Sequence, residues 1–273
     1  KYNLLTEDVK MKGIIGAICG DIIGSTRERE GLKSTGFELY PANSRFTDDT
    51  IMTVAIASWI LEDRKNLTEE SLIKNLKYFG NNYPSAGYGG LFLNWLEAST
   101  PEPYNSWGNG SAMRVSPVAW IGNSVEEVEQ LAEKSAKVTH NHPEGIKGAK
   151  SVAAAIYLAK TGKSKNKIKE YIEEEYKYDL SRDFNRLRGE YSFDASCQGS
   201  VPESIMAFLV SDDYESTIRN AISLGGDADT QAAIAGSIAS AYWEVPQDIY
   251  KPAIDILNDE LRDILFKFND ISL

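Results

Sequence analysis

The sequence predicts an all-α fold, a single compact multi-helix domain over residues 1–273. Three observations carry that expectation. Apolar residues recur at helical spacing through most of the chain, alternating runs of Val, Ile and aromatics are few, and neither a Pro/Gly/Ser linker nor an internal repeat divides it. The length of 273 residues suits one large domain or two small ones, and 42% apolar with 25% charged residues is an ordinary globular balance.

Taken in order, Ile14 to Ile23 reads as a buried helix of small and apolar residues, with Asp21 standing out as a carboxylate in apolar company. Thr50 to Leu61 places Ile51, Val54, Ala55 and Trp59 on one face. Asn66-Leu-Thr-Glu69 reads as a capping box ahead of Leu72, Ile73, Leu76 and Phe79, with Gly80 as the stop. Ser124-Val-Glu-Glu127 opens another helix. Ile146 to Lys160 is Ala-rich and ends at Gly162, and Lys167 to Tyr176 is a charged surface helix whose Glu173 to Glu175 face solvent. Pro202 is expected in a first turn. Further helices are expected at Tyr214 to Leu224, Thr230 to Trp243 and Pro252 to Phe268, about nine or ten in all. Between them, Asn81 to Gly90, Thr100 to Ser111, Thr139 to Glu144 and Tyr178 to Ser200 collect Gly, Pro, Asn, aromatics and both histidines, the make-up of ligand-binding loops.

Lys and Arg number 29 against 40 Asp and Glu, a formal net charge of −11 and a pI near 4.8. Such a surface repels duplex nucleic acid and anionic membranes at long range, which excludes generic polyanion binding but not a small anion in a local pocket. Cys19 and Cys197 stand far apart and outside any CxxC spacing, so a reducing, cytoplasmic setting is expected. No run approaches the roughly 18 apolar residues of a membrane span. The opening Lys1 to Lys12 is charged and lacks the apolar core of a secretory signal. Residues 1–10 are expected to be a tag or a flexible lead, with Met11 as a candidate natural start.

Two acidic clusters carry the most chemistry. Phe46-Thr-Asp-Asp-Thr50 and Gly225-Gly-Asp-Ala-Asp-Thr230 each run straight into a helix. One Asp at a helix start is explained by capping and the helix dipole. Each start here carries two carboxylates and at least one hydroxyl, more than a cap requires. Two carboxylates about 4 Å apart repel by roughly 4 kcal/mol at an effective dielectric near 20, so crowding them calls for protons or a cation. Asp and Thr oxygens suit a hard cation, whereas zinc prefers the scarce His and Cys. Most of the chain lies between the clusters, and spacing alone does not bring them together.

Trp107-Gly-Asn-Gly-Ser-Ala-Met-Arg114 offers small residues and backbone N–H groups ahead of a helix, either a tight turn or a phosphate cradle. It is not a Rossmann fingerprint, since Met113 stands where the third glycine belongs, and no P-loop pattern occurs. His140 and His142 can bind a metal, stack on a base or cap the helix after Pro143. Trp95, Trp107 and Trp120 are expected in the core.

In these segments the chain resembles the ADP-ribosylglycohydrolase family. The resemblance rests on Gly20-Asp-Ile-Ile-Gly24 with Glu28 beyond it, Thr47-Asp-Asp-Thr50, Gly108-Asn-Gly-Ser-Ala-Met-Arg114, Thr139-His140, and Gly225-Gly-Asp-Ala-Asp-Thr230 ahead of Ala232-Ala-Ile-Ala-Gly236, in the family's order. It implies an all-α fold of that type with two divalent cations, Mg²⁺ or Mn²⁺. The ligands it implies are Thr47, Asp48, Asp49, Asp227, Asp229 and Thr230. Glu28, with Asp48 and Asp229, is implied in acid/base work. Gly108, Asn109, Gly110 and Ser111 are implied against the ADP-ribose phosphates and distal ribose, with His140 and Tyr104 near the adenosine. Tyr83 to Gly89 is expected to line the entrance, and the loop from Tyr178 to Ser200 to sort acceptors.

The implied reaction is hydrolysis at the anomeric carbon of ADP-ribose in an ADP-ribosylated protein or small-molecule conjugate, by a monomer that binds neither membrane nor nucleic acid generically. Two alternatives stand beside it, a helical Mg²⁺-dependent nucleotide phosphohydrolase and an inactive ADP-ribose-binding relative. An isoprenoid-synthase DDxxD pattern fails, because Met52 occupies the third acidic position.

Overall fold

The computed structural model describes residues 10–272, so the expected tag or flexible lead falls, but for Lys10, outside the described residues. Its first helices are α1 (Ile15–Gly24), α2 (Asp48–Asp63), α3 (Glu69–Asn82), α4 (Gly90–Glu97), α5 (Gly110–Met113) and α6 (Ser116–Ile121). Next come α7 (Val125–Lys137), α8 (Pro143–Lys160), α9 (Lys165–Tyr176), α10 (Phe184–Glu190) and α11 (Cys197–Leu209). The chain closes with α12 (Tyr214–Ile222), α13 (Ala228–Tyr242), α14 (Gln247–Ile256) and α15 (Asp259–Ser272). Among the described residues there is no strand, only a bridge between Gly108 and Ser196, and the fold is all-α. No helix among them is long and apolar enough to cross a membrane.

Helix α13 forms the centre. It is buried from Ala228 to Ala241, and from Ala232 to Ala241 it is built wholly from Ala, Gly, Ser and Ile. Small residues let neighbouring backbones approach, and α1 approaches most closely. Gly16, Gly20 and Gly24 recur every fourth residue, so they share one face of α1. A Cβ at any of the three would collide with α13: at Gly24 it would lie 2.5 Å from Asp229 Cα and 2.6 Å from the Ala228 carbonyl oxygen. Gly236 reciprocates from α13, where a Cβ would lie 2.5 Å from the Gly16 carbonyl oxygen. The same carbonyl accepts a 2.7 Å hydrogen bond from the buried Tyr214 hydroxyl on α12. Helices α2 and α8, also buried through their middles, pack beside this pair.

Among the described residues fifteen helices replace the nine or ten expected, because short ones were not legible as periodic segments and the C-terminal stretch divides. Leu257 adopts an extended backbone after α14, and Asn258 accepts from Leu261 N at 3.0 Å to open α15. Pro252 therefore lies inside α14. Pro202 likewise falls inside α11, because Ser196 caps that helix by accepting from Gly199 N at 3.0 Å and starts it ahead of the proline. In α3 the cap is Thr68, which accepts from Ser71 N, and the helix runs through Gly80 to Asn82. Gly80 is a close approach: a Cβ there would lie 2.5 Å from the Leu96 side chain on α4.

Candidate active site

Both acidic clusters reach the same place. The N-termini of α2 and α13 converge on the part of α1 that carries Asp21, so the glycine-tight crossing brings Asp21, Asp49 and Asp229 together. Each offers a carboxylate oxygen within 4.8 Å of the others.

Capping does not account for them. Thr47 caps α2, its hydroxyl accepting from Asp49 N at 3.3 Å, and Asp227 at the α13 N-cap makes no side-chain cap bond. Asp21, fully buried, accepts from Thr47 N (2.8 Å), Thr47 Oγ1 (2.6 Å), Thr50 N (3.1 Å) and Thr50 Oγ1 (2.5 Å). Three of those bonds converge on Oδ2 and one reaches Oδ1, which commits the carboxylate to the two threonines. Asp21 is thus a buried strut that fixes Thr47 and Thr50, and sequence reasoning left it out of the site although its apolar setting was the signal.

Asp49 differs. Its Oδ2 accepts from Thr230 Oγ1 at 3.1 Å, while its Oδ1 is buried with no hydrogen-bond partner. Asp227 accepts from Asn109 Nδ2 at 2.8 Å. Burial raises every one of these carboxyls, and repulsion from neighbouring aspartates adds to it at Asp48, Asp49 and Asp229. Burial pushes Asp48 up to about 7, with the Asp21 charge adding to it. Asp49 and Asp229 stand well above the usual carboxylate range, by burial first, then by the charge of Asp229 on Asp49 and of Asp227 on Asp229. A divalent cation removes that conflict, and an orphaned buried oxygen among Asp and Thr oxygens is the donor chemistry that Mg²⁺ or Mn²⁺ takes.

A cavity of about 420 Å³ opens onto the cluster, within the roughly 300–1,000 Å³ of small-molecule sites. Of the residues singled out from sequence, Glu28, Thr47, Asp48, Asp49, Asp227, Asp229 and Thr230 line it, as do Tyr104, Gly108, Asn109, Gly110 and His140. Glu28 lies just beyond α1, its side chain a third exposed and its Oε1 3.8 Å from Arg29 Nε. Gly87, at φ +114°, passes close to Asp48, and a Cβ there would stand 3.3 Å from Asp48 Oδ1. Arg114 also lines the cavity and had no assigned role, while Tyr88 and Phe193 line it from the two stretches expected at the entrance and at the acceptor side.

Ser111 departs from expectation: its hydroxyl is fully buried and donates to the Gly145 carbonyl at 2.7 Å, outside the cavity lining. The turn is also less open than its glycines imply, since Gly108 N donates to Ser106 Oγ and Asn109 N to the Ala195 carbonyl. The histidines part company. His142 caps α8 by accepting from Glu144 N at 3.1 Å, with Trp107 edge-on to its ring and half exposed rather than in the core. His140 packs against Tyr104 with ring centroids 5.7 Å apart, and burial holds its pKa well below the ordinary value, so it is neutral.

The curated relative ADP-ribosylhydrolase ARH3 of Gallus gallus is 27% identical, over 84% of each chain. ADP-ribosyl-[dinitrogen reductase] glycohydrolase of Rhodospirillum rubrum is 25% identical, over 87% of this chain and 86% of that one. A solved structure, an ADP-ribosylglycohydrolase-related protein complex, superposes with a TM-score of 0.71 at 22% identity, over 95% of this chain and 96% of that one, a likeness of fold. The sequence model of the ADP-ribosylglycohydrolase family matches residues 6–267, and the chain belongs to that family.

Proposed function

We propose that the protein hydrolyses the bond at the anomeric carbon of ADP-ribose, freeing ADP-ribose from an ADP-ribosylated protein or a small-molecule conjugate, with two divalent cations, Mg²⁺ or Mn²⁺. The observation that carries this is the convergence of the two acidic helix starts at one cavity with a buried, unpartnered Asp49 oxygen. Thr47, Asp48, Asp49, Asp227, Asp229 and Thr230 would hold the ions, with Asp21 orienting Thr47. When bound, the cations supply positive charge that draws the carboxylates together and acidifies nearby water.

The chain's own residues do the rest. Breaking the anomeric bond leaves positive charge on the ribose, which the surrounding carboxylates stabilise as water adds and the acceptor departs. An aspartate of the cluster, Asp48 or Asp229, takes a proton from the incoming water, and Glu28 at the cavity wall returns one to the acceptor. Gly108 and Gly110 let the nucleotide half approach the backbone beside Asn109, and Tyr104 and His140 present their rings to it. The names of the relatives in Gallus gallus and Rhodospirillum rubrum support the ADP-ribosyl bond as the target.

The test is a panel of ADP-ribosyl-arginine, ADP-ribosyl-serine, O-acetyl-ADP-ribose and an ADP-ribosylated nucleobase, assayed with EDTA and with added Mg²⁺ or Mn²⁺. Cation-dependent release of ADP-ribose from at least one conjugate is expected. Release of phosphate from nucleotides in its place would favour a phosphohydrolase, and tight ADP-ribose binding without turnover an inactive binder.

A further inference from the structure

Arg114 is fully buried beside the cavity, yet among the described residues its guanidinium meets no carboxylate. Its Nη2 donates to the Ser135 carbonyl and to Thr139 Oγ1, both at 2.8 Å, and its Nε has no partner. An arginine has no acceptor, so Thr139 Oγ1 must accept from it. That hydroxyl also stands 2.7 Å from His140 Nδ1 and 3.3 Å from the Ala136 carbonyl. Its single proton goes to one of these or to the Tyr104 hydroxyl, which also neighbours the threonine. The Ala136 carbonyl already accepts from Thr139 N (3.1 Å) and His140 N (2.8 Å), which uses both lone pairs, so the shorter contact to Nδ1 takes the proton. Nδ1 then accepts, and the ring's one proton sits on Nε2. That Nε2 edge faces the glycine turn: it lies 3.0 Å from the place of a Cβ at Gly110 and 3.7 Å from that at Gly108.

We propose that Arg114 and Thr139 are positioning residues that lock His140 in the tautomer bearing its proton on Nε2, so that this N–H is offered, beside Gly110, to an acceptor atom on the nucleotide half of the ligand. The assignment of a nucleotide ligand rests on the function proposed above, whereas the tautomer does not. The titratable groups facing the ring are Arg114 and Tyr104, and neither favours an imidazolium. Glycine at 108 and 110 leaves the approach to Nε2 clear. His140 then supplies a direction as well as a surface, since a ring flipped to the other tautomer would present a lone pair and repel the same acceptor.

The chain has two histidines, so nitrogen NMR of protein labelled with ¹⁵N-histidine reads both rings directly. In the ligand-free protein, His140 is expected to show the Nε2–H pattern without protonating between pH 8 and pH 5. Thr139→Val is expected to populate the Nδ1–H tautomer, and Thr139→Ser to restore the parent pattern. Binding of ADP-ribose, the probe, is expected to weaken about three- to tenfold in Thr139→Val and to recover in Thr139→Ser, with Mn²⁺ affinity unchanged. An Nδ1–H pattern in the parent protein, or a Thr139→Val spectrum with an unaltered tautomer, overturns the proposal. Should the valine variant fail to fold, the parent spectrum still decides. Failure of the parent protein to bind ADP-ribose would count against the proposed function alone.

Discussion

The crossing of α1 and α13 can be loosened by one methyl group. In Gly24→Ala the new Cβ would lie 2.5 Å from Asp229 Cα, 2.6 Å from the Ala228 carbonyl oxygen and 2.7 Å from Asp229 N, against 3.4–4 Å for ordinary contact. All three are backbone atoms, so no rotamer change relieves them, and the start of α13 must retreat by about 1 Å. Overpacking of this kind costs about 1–3 kcal/mol, offset by at most about 1 kcal/mol of helix propensity, less at a helix end. A net loss of about 1–2 kcal/mol corresponds to a Tm lower by roughly 2–8 °C for a chain of this size. The same retreat carries Asp229 away from Asp49. Metal–oxygen distances tolerate about 0.2 Å, so cation affinity should fall by about tenfold or more. Thermal unfolding with EDTA reads the first effect, and Mn²⁺ titration calorimetry the second. Gly189→Ala is the control: it sits in α10 with nothing within 4 Å of its would-be Cβ, and should be neutral or stabilising by up to about 1 kcal/mol. A Gly24→Ala protein matching the parent in both Tm and cation affinity would refute the reasoning.

Further outcomes follow from the same geometry. Asp49→Asn removes a buried charge that repels Asp229, so in EDTA at pH 8 it should raise Tm, while the Tm gain on adding Mg²⁺ should disappear; differential scanning fluorimetry checks both signs. The Asp48 carboxyl rises from 3.8 in the unfolded chain to about 7 when folded, so its contribution is fully present below pH 3.8 and lost as pH rises through about 7. Urea unfolding of EDTA-treated protein should show stability falling from about pH 4 to about pH 7 and levelling off above, by at most about 4 kcal/mol from this group, and saturating Mg²⁺ should flatten the slope. Arg182 Nη1 pairs with Glu203 Oε1 at 2.8 Å, and Glu203 is 4% exposed with its other oxygen unpartnered. Arg182→Ala should cost about 2–4 kcal/mol in urea unfolding, and Arg182→Ala/Glu203→Gln distinctly less, because the second change removes the stranded charge.

Much of the site was legible because excess carboxylates at a helix start are costly and therefore conspicuous. Asp48, Asp49, Asp227 and Asp229 stood out for that reason, and all four line one cavity. What spacing could not give was their meeting, which depends on the Gly16, Gly20 and Gly24 face fitting against the small-residue surface of α13. Asp21 was visible as a buried carboxylate, but its partners Thr47 and Thr50 lie on another helix, so its role as a strut needed coordinates. Ser111 illustrates the reverse. Its place in a glycine-rich turn suggested ligand contact, yet α5 begins at Gly110 and turns the hydroxyl toward Gly145. The helical periodicity held wherever a helix was long and one-sided. It failed for α5 and α6, too short to show a period, and for Pro202 and Pro252, where the helix starts upstream of the proline, at a Ser196 cap in α11 and after Pro246 in α14.

The central claim is that the converged acidic clusters make a cation-dependent site for cleaving ADP-ribosyl bonds. Its most direct measurement is the initial rate of ADP-ribose release from ADP-ribosyl-arginine and ADP-ribosyl-serine by chelator-stripped protein, before and after Mg²⁺ or Mn²⁺ is restored, for the parent and Asp229→Asn. Negligible release when stripped, recovery on adding the cation, and no recovery in Asp229→Asn are predicted. Full activity in the stripped parent, or an Asp229→Asn protein that turns over at the parent rate, would contradict it.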